Sequence, residues 1–173
     1  MRNLYLDCDG VILDTIDKAY ELMRRDGLDP KNRELVNKYF VDVDWLYLIN
    51  EAGQLDNSIE KIIKLREMGI YDIKILTTCV NKNEPWIKTL YFEQELPGIP
   101  VITVPWMVRK DSVVDADNSI LVDDSTTNVT NWRESGGIGL HFVKGFASLE
   151  DMQINDLMDI PKIEQKVKKI VRF

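Results

Sequence analysis

The chain has 173 residues, 45% of them hydrophobic, with 22 basic against 29 acidic side chains and a formal net charge of −7. That length suits one compact domain with a substantial core. The acidic excess excludes nonspecific nucleic-acid binding, but not a phosphorylated small molecule, because a metal ion and a local lysine can reverse the field inside one pocket. No apolar run approaches the roughly 18 residues of a membrane span, and Met1 leads straight into a strand-like segment instead of a signal sequence. The expected location is therefore the cytoplasm, with no membrane partner. Cys8 and Cys79 are too few for a disulfide framework and read as small buried fillers at strand ends.

In chain order, apolar strand-like runs occur at Leu4–Leu6, Ile73–Leu76, Val101–Val104, Ile120–Val122 and Ile138–Phe142. Helix-like stretches separate most of them, the pattern of a doubly wound parallel α/β sheet covered on both faces. The segment from about Ile16 to Gly53 departs from this alternation. It reads as helical with a break at Gly27-Leu28-Asp29-Pro30 and carries Tyr39, Phe40, Trp45 and Tyr47. Such aromatics serve core packing, and Phe40 and Trp45 are the best candidates for pocket walls. Asn57-x-x-Glu60 reads as a capping box opening the next helix, which Gly69 stops. A further helix is predicted from Asn83 and Pro85 to before Pro97-Gly98, and another from about Thr127 to Gly136-Gly137. The basic tail from Pro161 to Phe173 spaces Ile163, Val167, Ile170 and Val171 as one helical face.

Two strand ends carry chemistry. After Leu4-Tyr5-Leu6 come Asp7, Cys8, Asp9 and Gly10. Aspartates leaving one strand end can help hold a divalent cation, and Gly10 lets the backbone approach an anion. A carboxylate beside a metal can also attack phosphorus and carry an acyl phosphate. After Ile120-Leu121-Val122 come Asp123 and Asp124, adjacent acids that would repel each other without a cation. Between them, Tyr71–Leu76 ends in Thr77-Thr78, and Arg109-Lys110 precedes the Ile120 strand.

Asp7-x-Asp9-Gly10-Val11-Ile12-x-Asp14, followed by these segments in this order, resembles the motifs of the haloacid dehalogenase-like superfamily. The resemblance covers Leu4 to Asn128 and implies a Rossmann-like core, residues 1–15 and 54–173, with a small helical cap at 16–53 that chooses the substrate. It implies a Mg2+-dependent phosphatase in which Asp7 is the nucleophile and Asp9 the general acid and base. Thr77 would donate to the phosphoryl group, with Thr78 and Gly10 as further substrate contacts. Lys110 would neutralise the phosphoryl oxygens, with Arg109 as its alternative. The metal would be held by Asp7, the backbone carbonyl of Asp9 and Asp124, with Asp123 orienting a metal-bound water or the reverse. Asn128 falls where a further acid often sits, and His141 fits none of these roles. True dehalogenases usually lack an acid matching Asp9, so phosphate chemistry is favoured over carbon–halogen chemistry.

Within the superfamily the pattern is most similar to the 5'(3')-deoxyribonucleotidases, which implies a nucleoside monophosphate. A sugar-phosphate phosphatase or phosphomutase would share every core residue. A receiver-type signalling domain places its paired acids earlier, and a non-catalytic binding module would not need a candidate for each chemical role.

Overall fold

A computed structural model describes the backbone of residues 1–170 and the side chains of residues 1–165. Six parallel strands, β1 (Arg2–Leu6), β2 (Tyr71–Cys79), β3 (Val101–Pro105), β4 (Ile120–Asp123), β5 (Ile138–Phe142) and β6 (Gln153–Ile154), form one sheet in the order β3-β2-β1-β4-β5-β6. The chain winds outward from β1 to β3, then restarts beside β1 with β4. The strand order thus reverses between β1 and β4, and a crevice forms beyond their carboxyl ends. Leu4 lies opposite both Ile73 and Ile120, and Leu6 opposite both Ile75 and Val122. The short strand β6 carried no apolar run and was invisible to the hydrophobic pattern.

Alternation along the strands separates two cores. Leu4, Leu6, Ile73, Ile75, Ile120 and Val122 belong to the larger one, which also takes in Ile59, Ile62 and Leu65 of α4 (Ser58–Glu67), Phe92 of α5 (Glu84–Glu95) and Ile163 of α7 (Ile160–Ile170). Tyr5, Leu76, Val104 and Leu121 pack on the other face with Trp132 of α6 (Thr126–Glu134). Helices therefore cover both faces, as a parallel sheet requires. The side chains of Val167, Ile170 and Val171, read above as part of a helical face, lie outside the described residues.

The 16–53 region forms three helices: α1 (Thr15–Arg25), α2 (Arg33–Asp42) and α3 (Trp45–Ala52). The expected break at Gly27 is present, and a second, at Val43-Asp44, was not foreseen. Asp44 creates it by accepting from the backbone N–H groups of Leu46 and Tyr47, which starts α3 afresh. Leu22, Trp45, Leu48 and Ile49 join the larger core, so these helices are continuous with the sheet's packing.

The capping box at Asn57 does not form. Asn57 sits in the left-handed region with φ 53° and its side chain caps nothing. The chain turns too sharply there for the side chain to reach forward, and Ser58 instead donates to the carbonyl of Ile12 at 2.7 Å. Glu60 pairs along the helix with Lys64. Gly69, at φ 67°, ends the helical segment as expected.

Candidate active site

The turn after β1 is closed by its own backbone. The amides of Ile12 and Leu13 both donate to the carbonyl of Cys8, and that of Gly10 to Leu13. Gly10 has φ +74°, and a Cβ there would lie 2.3 Å from Asp124 Oδ2. Only glycine lets this turn and the acid after β4 come so close. Asp7, Asp123 and Asp124 each offer a carboxylate oxygen, all within 4.8 Å of one another, so the reversal point of the sheet brings the two acidic strand ends together.

Lys110 opens a short 3-10 turn, Lys110–Ser112, and is almost fully buried. Its Nζ lies 2.9 Å from Asp7 Oδ1 and 2.7 Å from Asp123 Oδ2, bridging the two. Arg109 turns outward and pairs with Asp111 at 2.7 Å. Asp123 is fully buried and also accepts from both the backbone of Ser125 at 2.9 Å and the Asn128 amide at 3.0 Å. Asp124 is the less buried of the pair, facing a cleft with Gly10 and His141. A ring nitrogen of His141 donates to the carbonyl of Asp124 at 2.9 Å and steadies that loop.

The charge balance is uneven. Burial pushes the Asp7 carboxyl up to about 8; Lys110 pulls it back, but Asp123, Asp9 and Asp124 push it further. Burial, then Asp123 and Asp9, push Asp124 up to about 7. Burial opposes the charge on Lys110, but Asp7 and Asp123 outweigh it and raise its proton affinity. One lysine thus faces three clustered carboxylates. This all-oxygen set fits a hard divalent cation, whose charge would offset the excess.

The Asp9 side chain is turned away from that cluster. The resemblance implied that Asp9 serves as general acid and base; in the structure both of its carboxylate oxygens accept hydrogen bonds. Thr15, the first residue of α1, donates to Oδ1 at 2.6 Å, and Lys88 of α5 donates to Oδ2 at 2.5 Å. Thr77 is fully buried beside them, and Thr78 faces the cleft. Sequence reasoning missed both Thr15 and Lys88. Lys88 looked like any helix lysine, and only the packing of α5 on the sheet turns it inward. Burial works against its charge, but Asp9 and Glu84 more than reverse this and hold it protonated.

Next to Asp9 a cavity of about 230 Å³ opens, lined by Ile16, Asn37, Phe40, Val41, Trp45, Thr78, Val80, Glu84 and Trp106 among others. Phe40 and Trp45 therefore both line it, and Trp45 is also core, with its indole N–H donating to the carbonyl of Phe40 at 3.1 Å. Trp106, 60% exposed, is a wall that the sequence did not flag. Cys8 and Cys79 are free, buried thiols; burial raises the first well above its ordinary range and the second to about 12, so neither is poised as a thiolate.

No protein-family profile matches the chain, and no curated protein does. Solved structures do. A magnesium-bound putative HAD-hydrolase, YfnB from Bacillus subtilis, aligns over 94% of this chain and 97% of its own, with a TM-score of 0.62 and 15% identity. A β-phosphoglucomutase from Clostridium difficile aligns over 100% of both chains, with a TM-score of 0.60 and 13% identity. A phospho-aspartyl intermediate analogue of phosphoserine phosphatase covers 82% of this chain and 86% of its own, with a TM-score of 0.51 and 12% identity. The fold is thus the Rossmann-like α/β fold of the HAD-superfamily hydrolases. Among the described residues, no helix is long and apolar enough to cross a membrane.

Proposed function

We propose that this protein is a Mg2+-dependent phosphomonoester hydrolase that works through an aspartyl phosphate on Asp7. The observation carrying this is Lys110 bridging Asp7 and Asp123 within a cluster that also holds Asp124, at the reversal point of a HAD-type sheet. Asp7, Asp124 and the Asp9 carbonyl would hold the metal, with Asp123 beside them. When bound, Mg2+ supplies positive charge that lets a phosphate dianion share a pocket with carboxylates.

The chain's own groups do the rest. Asp7 Oδ1 accepts from the Cys8 backbone N–H at 2.8 Å and lies 2.9 Å from Lys110, which leaves Oδ2 to attack phosphorus in line. Lys110 and the Thr77 hydroxyl stabilise the equatorial oxygens, where catalysis of phosphoryl transfer mostly lies. Asp9, in its protonated form when the ester is cleaved, gives that proton to the leaving oxygen, and the resulting carboxylate then takes one from the water that hydrolyses the aspartyl phosphate. Gly10 and Thr78 border the phosphoryl position. Residues 16–53 act as a small cap on the core of 1–15 and 54–173, and Phe40 and Trp45 form walls for the leaving group.

The substrate is a small phosphorylated molecule. The aromatic and aliphatic lining of the cavity supports a nucleoside monophosphate, the substrate of a 5'(3')-nucleotidase, whose flat base suits such walls. A sugar-phosphate phosphatase or phosphomutase is the second reading, and whole-length similarity to a β-phosphoglucomutase favours it.

The test is phosphate release from nucleoside 5'- and 3'-monophosphates and from sugar phosphates, with Mg2+ and with EDTA. Mg2+-dependent release is expected, abolished in Asp7→Asn while the fold persists. Undiminished turnover by that variant would remove Asp7 as nucleophile. Preference for sugar phosphates would discard the nucleotide reading, and dependence on a bisphosphate activator would mark a mutase.

A further inference from the structure

Lys88 is a fully buried ammonium, and its surroundings are more specific than charge neutralisation requires. It lies 2.5 Å from Asp9 Oδ2, 2.9 Å from Thr77 Oγ1 and 2.6 Å from Glu84 Oε1. The carbonyl of Thr78 stands at 3.2 Å and shares one of these protons. An ammonium has three N–H groups, so none remains for a substrate. The ring of Trp45 from α3 also lies against the ammonium, with the nitrogen 4.7 Å from the ring centroid. Glu84, itself buried, completes the arrangement: its Oε2 accepts from the backbone N–H of Val80 at 2.6 Å, tying the loop after β2 to the first turn of α5.

We propose that Lys88, with Glu84 as its counter-ion, is a positioning residue that orients the Asp9 carboxylate and the Thr77 hydroxyl together. The inference rests on the phosphatase reading given above. Lys88 on Oδ2 and Thr15 on Oδ1 fix the plane of the Asp9 carboxylate. Lys88 donates to Thr77 Oγ1 at 2.9 Å and so fixes that oxygen, whose own proton makes only a long 3.5 Å contact to the Thr78 carbonyl and can pass to a phosphoryl oxygen. One ammonium thus sets two groups that act on different oxygens of the reacting phosphorus, one on the leaving oxygen and one on an equatorial oxygen. A displacement of about 1 Å at such a group costs on the order of 100-fold in rate.

The experiment uses the full chain with Mg2+ and the double variant Lys88→Met with Glu84→Gln, which removes both buried charges at once. Two esters are compared: an alkyl phosphate that the wild type hydrolyses, whose leaving group needs a proton, and p-nitrophenyl phosphate, whose leaving group does not. For the alkyl ester, kcat/KM is expected to fall about 100-fold. For the nitrophenyl ester the loss stays below about tenfold, and inhibition by inorganic phosphate changes by no more than about threefold. Equal losses on both esters together with weakened phosphate inhibition would show general disruption and overturn the role, as would an unchanged kcat/KM. Lys88→Gln with Glu84→Gln is the second variant; failure of both to fold would assign the pair to stability alone and overturn the proposal. Turnover by the wild type with an unaffected variant removes only this inference. No turnover of any ester by the wild type removes the phosphatase reading and this inference with it.

Discussion

Gly10 shows how much of the site hangs on one missing side chain. Gly10→Ala would place a Cβ 2.3 Å from Asp124 Oδ2 at a φ of +74°. The backbone alone costs about 1 kcal/mol for an L-residue in that region. The clash must also push Asp124 aside, and metal affinity is expected to fall about 10- to 100-fold, as when a partner that orients a ligand is lost. Titrating Mg2+ against intrinsic fluorescence checks this; unchanged affinity would take Asp124 out of the metal site. Lys110→Met is expected to be worse for the metal-free protein, because it leaves the buried Asp7 and Asp123 without the ammonium they share. Removing one member of such a cluster typically costs about 3–5 kcal/mol, which denaturant unfolding in EDTA would read. Arg109→Met, at an exposed pair, should stay within about 1 kcal/mol of the parent.

At the scale of elements, helices α1 to α3 supply much of the lining of the cavity beside Asp9. The starts of α2 and α3 are set locally: Asn32 accepts from the amides of Glu34 and Leu35, and Asp44 from those of Leu46 and Tyr47. Asp44→Ala is expected to cost about 1 kcal/mol. Because α3 carries Trp45 over the cavity, the same change should raise KM more than it lowers kcat. Equal effects of Asp44→Ala and of a surface control on KM would separate α3 from substrate binding. The capping box misread at Asn57 belongs to this scale too. The residue pattern was right, but Asp56 and Asn57 both take positive φ, and the tight turn put the side chain out of reach.

The whole molecule carries a pH signature. Asp7 is pushed up to about 8 and Asp124 to about 7, from an ordinary 3.8 that they regain on unfolding. Across the intervening range the native protein binds more protons than the unfolded chain, so stability falls as pH rises. The contribution is fully present below about pH 4 and is lost as pH rises through 7 to 8. For the metal-free protein, these groups are therefore expected to lower the midpoint of thermal unfolding between about pH 5.5 and pH 8.5. On the proposed function Mg2+ would bind the deprotonated carboxylates, so it should restore most of that loss at the higher pH and bind more tightly there. A midpoint in EDTA that rose over this interval would contradict the crowded-carboxylate account.

What the sequence determined by itself was the alternation of strands and helices and the two acidic strand ends. Both are local properties: a run of Leu4-Tyr5-Leu6 buries itself wherever it lies, and acids that directly follow such a run are held at the strand's end. The motif order added Thr77, Lys110 and the adjacent acids, because a shared order is legible without coordinates. Only the tertiary structure decided which basic group reaches Asp7. Lys110 and Arg109 are neighbours in sequence, and the 3-10 turn sends one inward and the other to solvent. It alone also decided that Asp9 is held by Thr15 and Lys88, residues six and 79 positions away. No local pattern marks a lysine for burial; the packing of α5 between β3 and α3 does, by leaving that ammonium no partners except the groups of the site.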